Sequence, residues 1–502
     1  MFSIVPSSPN FDENNWVIDI RRTIEEEHED EPEAQVSIFS VPRGLMATAP
    51  QCYVPQLVAI GPFHYKDPEL YETQRYKLAA AKRVQGKLLA ARKFQLVVDK
   101  IAKQVSLIRA CYHRPLGFNV ETLSWMMAID ASFLLEFLQA ISTRESSSVS
   151  SMMSHLIGVE RRKPAYNSIL RDVIMLENQI PLLVLRKILE LQLESPECTD
   201  RLLQSMMARF CEEILPFRSL VDAWLSASES AHLLHFLYRM IIPEAEISGE
   251  MVTEPDERNG RYENGFLPRM WTVLKATFRH ERWKRYSFKL LICLPWTIAG
   301  SIPIVSALKQ PVEHILAALE QSAQERNQTE GGINALEVDK QPLMEEIAIP
   351  SVTELQRSGI RFSPTNGNVF SINFDSKTTT LHLPVVKLDV NSEVVLRNLV
   401  AFEATNASGP LVLARYTELM NGIIDTEDDA KLLRERGIIL NHLKSDRDAA
   451  SLWNGMSKSV RLTKVPFLDK VIEDVNRFHD GRWVVKARKY TNGKSISLLK
   501  FL

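Results

Sequence analysis

Apolar residues recur at helical spacing along most of this chain, and that period constrains the fold more than any other feature. Helical patterns are predicted over 69–111, with a weak spot at Gly86, and over 119–141, 166–194, 198–215 and 228–241. They resume at 392–404, 411–421, 427–436 (closed by Gly437) and 446–457. A final helix starts with Pro466 at its first position and sets Val465, Leu468, Val471, Ile472, Val475 and Phe478 on one face. Near the N-terminus, Trp16, Val17, Ile20 and Ile24 mark a short helix within 11–30, ahead of the acid run EEEHEDEPE. By contrast, 36–62 carries Pro42, Pro50, Pro55 and Pro62, each of which disfavours helix in its predecessor, so extended irregular backbone is expected.

The texture changes after residue 350. Ser351 and Glu354 have the spacing of a capping box, with Gly359 placed just past the end of the short helix it opens. VFSINF (369–374) and TTTLHLPVVKLDV (378–390) read as two strands joined by the turn DSK, a hairpin whose second strand Pro384 should confine to an edge or a bulge. The expected fold class is therefore mainly α, multi-helical, with a small β-hairpin element at about 369–390.

Polar, turn-rich stretches at 144–154, 243–265 and 321–334 read as surface loops or linkers. Between the last two lies a basic-aromatic segment, 271–289, followed by the uncharged run LLICLPWTIAGSIPIVSAL, 290–308. That run approaches the roughly 20 residues that span a bilayer. Pro295, Gly300 and Pro303 interrupt it, so two readings stay open, a proline-kinked core segment or a membrane contact through 271–308. The expected organisation is an N-terminal helix and acidic linker (1–35), a helical part (36–242), an inserted segment (243–340), an α+β part (341–483) and a basic tail (484–502).

With 60 basic against 62 acidic residues the formal charge is −2, which argues against a nucleic-acid partner. Five scattered cysteines without C-x-x-C support neither a disulfide framework nor a zinc site, and fit reduced thiols. The N-terminus lacks the layout of a signal peptide, Phe2 forbids myristoylation, and the sequons at Asn327 and Asn406 are then chance matches; the chain is not expected to be secreted. His232-x-x-His235 lacks the glutamate of a zinc-protease helix, DTEDDA (425–430) has Ala430 where a calcium loop needs glycine, and Gly493-Lys494-Ser495 lacks the first glycine of a phosphate loop. An acidic helix N-terminus explains DTEDDA better. No metal, no cofactor, no small-molecule ligand and no catalytic residue is indicated.

The remaining candidates form a polar lock. Glu177, Asn178 and Gln179 sit between apolar runs just before Pro181, where they either tie a proline-kinked helix to neighbouring backbone or bind a ligand. Arg397, Asn398 and Glu403 flank an apolar stripe of Leu396, Leu399 and Val400, and Glu393 and Arg397 are an i,i+4 pair. A buried lock between helices is the first reading for this second set, a catalytic site the alternative. His64, after Gly61-Pro62, should cap or pack a turn.

Several phrases together resemble the plant-specific domain-of-unknown-function 247 family: IFSVP (38–42), YVPQLVAIGPFHY (53–65), LYETQRYKL (70–78), DASFLLEFL (130–138), DVIMLENQIPLLVL (172–185), IPSVTELQRSGIRF (349–362), LHLPVVKLDVNSEVVLRNLVAFEA (381–404) and YTELMNGIIDTEDDAKLLRERGII (416–439). The resemblance implies a plant protein without an established enzymatic activity. Many members end in one membrane-spanning helix, and some grass relatives are linked to pollen–stigma self-incompatibility. After Trp483 this chain continues as a basic stretch too polar to span, so the usual anchor is expected to be missing. The expectation is a non-enzymatic, membrane-associated recognition or signalling protein with an unknown protein partner, otherwise cytoplasmic. The alternative is a soluble plant enzyme of unrecognised type with a polar site around 176–179 and 397–403.

Overall fold

The computed structural model describes residues 17–18, 21, 36–88, 93–142, 164–193, 195–217, 229–243, 347–407, 409–456 and 463–499. The chain divides into two units, one made of 1–253 together with 349–502, the other of 254–348. The loop 144–154, the linker beyond residue 243, the segment 271–308, the linker 321–334 and most of the helix expected in 11–30 lie outside the described residues.

Within the first unit, α1 (Arg43–Thr48) forms inside the proline-rich stretch expected to be irregular, because Pro42 can precede a helix without a hydrogen to donate. The single helix expected over 69–111 is several pieces. A 3-10 turn (Pro68–Thr73) leads into α2 (Gln74–Gly86), which ends at its one glycine. Next come α3 (Gln95–Ala102) and α4 (Val105–Ala110), separated at Gln104, whose φ of −112° and ψ of 11° leave the helical region. The helix expected over 119–141 is α5 (Val120–Ser142), and the others in this part are α6 (Pro164–Asp172), α7 (Leu182–Leu189), α8 (Pro196–Ile214) and α9 (Leu233–Ile241). The helix expected over 166–194 is broken between α6 and α7. Pro181 does not kink a continuous helix there; it precedes α7 as its N-terminal cap, with φ −61° and ψ 137°.

α5 is the centre of this part and packs against α2, α3, α7 and α8. By length and composition it could cross a membrane, yet 78% of its most apolar stretch is buried inside the protein. A helix that is apolar on nearly all sides is what a core position requires.

The C-terminal part opens with α10 (Val352–Arg357), where the capping box forms in both directions. Ile360 N–H then reaches Leu355 O and Gly359 N–H reaches Gln356 O, a Schellman ending in which Gly359 takes φ +96°. β1 (Arg361–Thr365), not foreseen as a strand, pairs in parallel with β3 (Thr380–Pro384), and β2 (Asn373–Asp375) pairs antiparallel with the other side of β3. The expected hairpin is thus β2–β3, shorter at its start because Val369–Ser371 is a 3-10 turn. Pro384 is not on an edge strand: β3 is the middle strand, and Pro384 is its last residue, where a missing N–H ends the ladder. From there the chain enters β4 (Val386–Leu388), which pairs in parallel with β5 (Ile439–Asn441) as a second sheet.

α11 (Ser392–Asn406), α12 (Val412–Ile423), α13 (Glu427–Glu435) and α14 (Asp446–Trp453) follow the expected periods. At DTEDDA the chain caps α13: Asp429 accepts the N–H groups of Asp425 and Thr426 with one oxygen and that of Thr353 with the other. α15 (Pro466–Leu499) stays helical through most of what was expected to be a separate basic tail, a stretch that carries several lysines and leucines and no proline. Gly493-Lys494-Ser495 lies within that helix, not in a phosphate-binding loop. Arg415 on α12 anchors the start of α15 through Asp469 at 2.5 Å and also pairs with Glu418 at 2.7 Å.

Candidate functional site

The segment Gln56–Gly61 is buried at its centre and, among the described residues, has no partner strand, so its backbone groups need side-chain partners. Asp172, the last residue of α6, supplies three bonds: Oδ1 accepts Gln56 N–H at 3.0 Å, and Oδ2 accepts Leu57 N–H at 2.7 Å and Val58 N–H at 2.8 Å. Asn178 supplies the next, accepting Ile60 N–H at 2.6 Å and donating to Val58 O at 2.9 Å. Asp130 of α5 accepts Gly61 N–H at 2.9 Å and pairs with the buried Lys77 ammonium at 2.7 Å; Lys77 also donates to Ala59 O. The segment is held by side chains as a strand would be held by a sheet.

The residues around Asn178 face other directions. Gln179 donates to Val173 O at 2.8 Å and Met175 O at 2.9 Å, and accepts Leu234 N–H at the start of α9 at 3.1 Å. Glu177 accepts Val41 N–H at 2.8 Å, while its other oxygen lies 3.6 Å from His64 Nε2. The polar run before Pro181 therefore closes a non-helical turn between α6 and α7 onto three separate stretches of backbone.

Of the second set, Asn398 alone bonds to the backbone next to this cluster. Its Oδ1 accepts Leu176 N–H at 2.9 Å, and its Nδ2 donates to Cys52 O and Val394 O, both at 2.8 Å. Arg397 points elsewhere, to Glu393 at 2.9 Å and Gly455 O at 3.2 Å. Glu403 is fully buried and caps the N-terminus of α12, accepting Leu413 N–H at 2.8 Å and Ala414 N–H at 2.7 Å, with Tyr238 O–H at 2.8 Å. The six candidates thus divide: 177–179 bond to backbone around their own turn, Asn398 reaches the adjoining Leu176, and Arg397 and Glu403 make separate ties.

Electrostatics follow burial. Desolvation pushes the Glu403 carboxyl up to about 7 and the Asp172 carboxyl up to about 6, against the donors that pull both back. Burial also raises Glu177, with Val41 N–H and Arg114 opposing it, and lowers His64. His232 and His235 are lowered to about 3 and about 4, chiefly by burial. His232 caps α9, its Nδ1 accepting His235 N–H at 3.2 Å, so its Nε2 carries the hydrogen given to Ser37 O at 3.0 Å. His235 Nδ1 accepts Ala231 N–H at 3.1 Å. Both rings are engaged in backbone bonds, and among the described residues no three metal-ligating side chains cluster.

Asp130, Lys77, Asp172, His232 and Tyr238 were not singled out as members of these networks. The lone acid inside the apolar helix AIDASFLL was the available signal for Asp130, since a charge in such a run needs a partner.

Comparison with known proteins adds relatives. Residues 38–501 match the domain-of-unknown-function 247 family, described as plant protein of unknown function. A putative UPF0481 protein, At3g02645, of Arabidopsis thaliana is 46% identical over 486 residues, which cover 95% of this chain and 88% of that protein. A second Arabidopsis thaliana protein, UPF0481 protein At3g47200, is 23% identical over 457 residues, covering 89% and 78%. No solved structure matches. With the family match running over most of its length and a relative 46% identical across 95% of it, the chain belongs to the domain-of-unknown-function 247 family of plant proteins.

Proposed function

We propose that this chain is a non-enzymatic recognition protein that works by protein–protein contact at a membrane surface. The observation that carries the reading is how the motif side chains are used. Glu403, Asp172, Asn178, Gln179 and Asn398 spend their polar atoms on buried backbone groups, which shapes a rigid helical body. A catalytic acid or base has to reach a substrate proton, and the Glu403 carboxylate, although raised, is enclosed by Leu413, Ala414 and Tyr238. Membrane contact is proposed from the sequence of 271–308, where basic and aromatic residues precede an uncharged run.

Carbonate extraction of the full chain, compared with a variant lacking 271–308, tests the membrane part. Retention of the full chain and loss of the variant are expected; a full chain that never sediments with membranes refutes it. Proximity labelling in plant tissue tests recognition, with a reproducible set of protein neighbours expected. Turnover of a small molecule by the purified chain, abolished by Glu403→Gln with the fold retained, would overturn the non-enzymatic reading.

A further inference from the structure

We infer that a cavity beside the first turns of α5 is a binding site for an organic cation, an ammonium or guanidinium group on an apolar stem. The cavity has a volume of about 260 Å³. That is below the roughly 300–1,000 Å³ typical of pockets for drug-sized ligands, and suits a group the size of one side chain.

Its walls mix polar side chains with large polarisable ones. Trp125, Met126 and Ile129 come from α5, and Tyr65 faces them from the loop before α2. Both aromatic rings are held by neighbours: Trp125 lies against Phe94 with centroids 5.8 Å apart, and Tyr65 meets Phe118 edge-on at 6.1 Å. Rings fixed before a ligand arrives lose little freedom on binding, and their faces attract cations.

The Glu121 carboxylate is the charge a cation would meet, and it offsets the partial positive charge of the helix N-terminus beside the cavity. Asp130 lies at the floor with both oxygens occupied, one by Lys77 and one by Gly61 N–H, so that floor pair is neutral as a unit. Glu121, in the first turn of α5, lines the cavity and is solvent-exposed, and no ion pair engages it among the described residues. Gln74 and Thr122 add polar groups to the lining. An anion meets the Glu121 carboxylate, whereas a cation gains both that carboxylate and the ring faces. Such a cation has two sources, a free amine or the Arg or Lys side chain of a protein.

The test is calorimetric titration of the full chain with agmatine, pentanol and pentanoate. Agmatine is expected to bind at least about tenfold tighter than the other two, and Glu121→Gln to weaken it about tenfold. Glu121→Lys should abolish binding; Glu121 is exposed, so circular dichroism should show both variants folded. Equal binding of pentanol, unchanged affinity in folded Glu121→Gln, or no heat from agmatine at about 10 mM overturns the inference. A capped Gly-Arg-Gly peptide in parallel separates the sources. Tighter binding of the peptide than of agmatine supports the site and assigns it to a protein side chain; the reverse order supports the site and assigns it to a free amine.

Discussion

Replacing Asn398 by alanine tests the stitching of this fold most directly. The side chain is fully buried and makes three hydrogen bonds with one amide. The bond to Val394 O is redundant, since that carbonyl also has its helical partner. The other two are not, so the alanine variant leaves Leu176 N–H and Cys52 C=O without the partner they have now. Each such orphaned group costs about 1–3 kcal/mol, or about 2–6 kcal/mol together. Against a typical stability of about 5–15 kcal/mol, that moves the unfolding midpoint well outside error. Asn398→Asp is the sharper variant. It keeps an acceptor for Leu176 N–H but turns a second oxygen toward two carbonyl oxygens, so it should cost at least as much despite its identical shape. Urea unfolding followed by far-UV circular dichroism provides the measurement. A loss under about 1 kcal/mol for the alanine variant, or an aspartate variant as stable as the parent, would refute the reasoning.

Glu403, raised from 4.5 to about 7, binds its proton more tightly when folded, so its contribution to stability is complete below about pH 4.5 and is lost as pH rises through about 7. The stability difference between the parent and Glu403→Gln should therefore shrink by about 3 kcal/mol between pH 4 and 8; a flat difference contradicts it. Taking that difference matters because His232 and His235, lowered to about 3 and about 4, lose stability in the opposite direction, as pH falls from 6.5 through those values. Gly61→Ala should cost about 3 kcal/mol or more in thermal or urea unfolding, because φ is +79° and the new Cβ would lie 2.8 Å from Gln179 O. Asp172→Ala strands three N–H groups, while Asp172→Asn can keep the two that share Oδ2, so the alanine variant should be the less stable; equal losses would falsify the shared-oxygen geometry.

The elements whose signals are local were legible in the sequence. The capping box at Ser351, the glycine endings at Gly359 and Gly437, and the long apolar period of α5 need only neighbouring residues to read. Breaks that depend on distant partners were not. The 166–194 pattern stays helical in propensity, and bonds to distant backbone, such as those of Gln179 with Leu234, Asn178 with Ile60 and Asn398 with Leu176, hold the chain out of the helix there. The parallel strands β1 and β5 are short, and each finds its partner across intervening chain, so periodicity alone could not reveal them. At the candidate site, the polar character of 177–179, Asn398 and Glu403 was visible, but a sequence does not say which backbone each side chain will reach.

The Asn398 bonds also set a timetable for synthesis. Leu176 N–H waits for a residue 222 positions later, and Cys52 C=O for one 346 positions later. At roughly 5–20 residues per second, the gap between Leu176 and Asn398 is about 10–45 s of translation. For that time the emerging N-terminal helices carry a core whose final fastening has not yet been made. Cellular holding factors that shelter exposed apolar surface on the ribosome would then act on the first half of this protein before its second half exists.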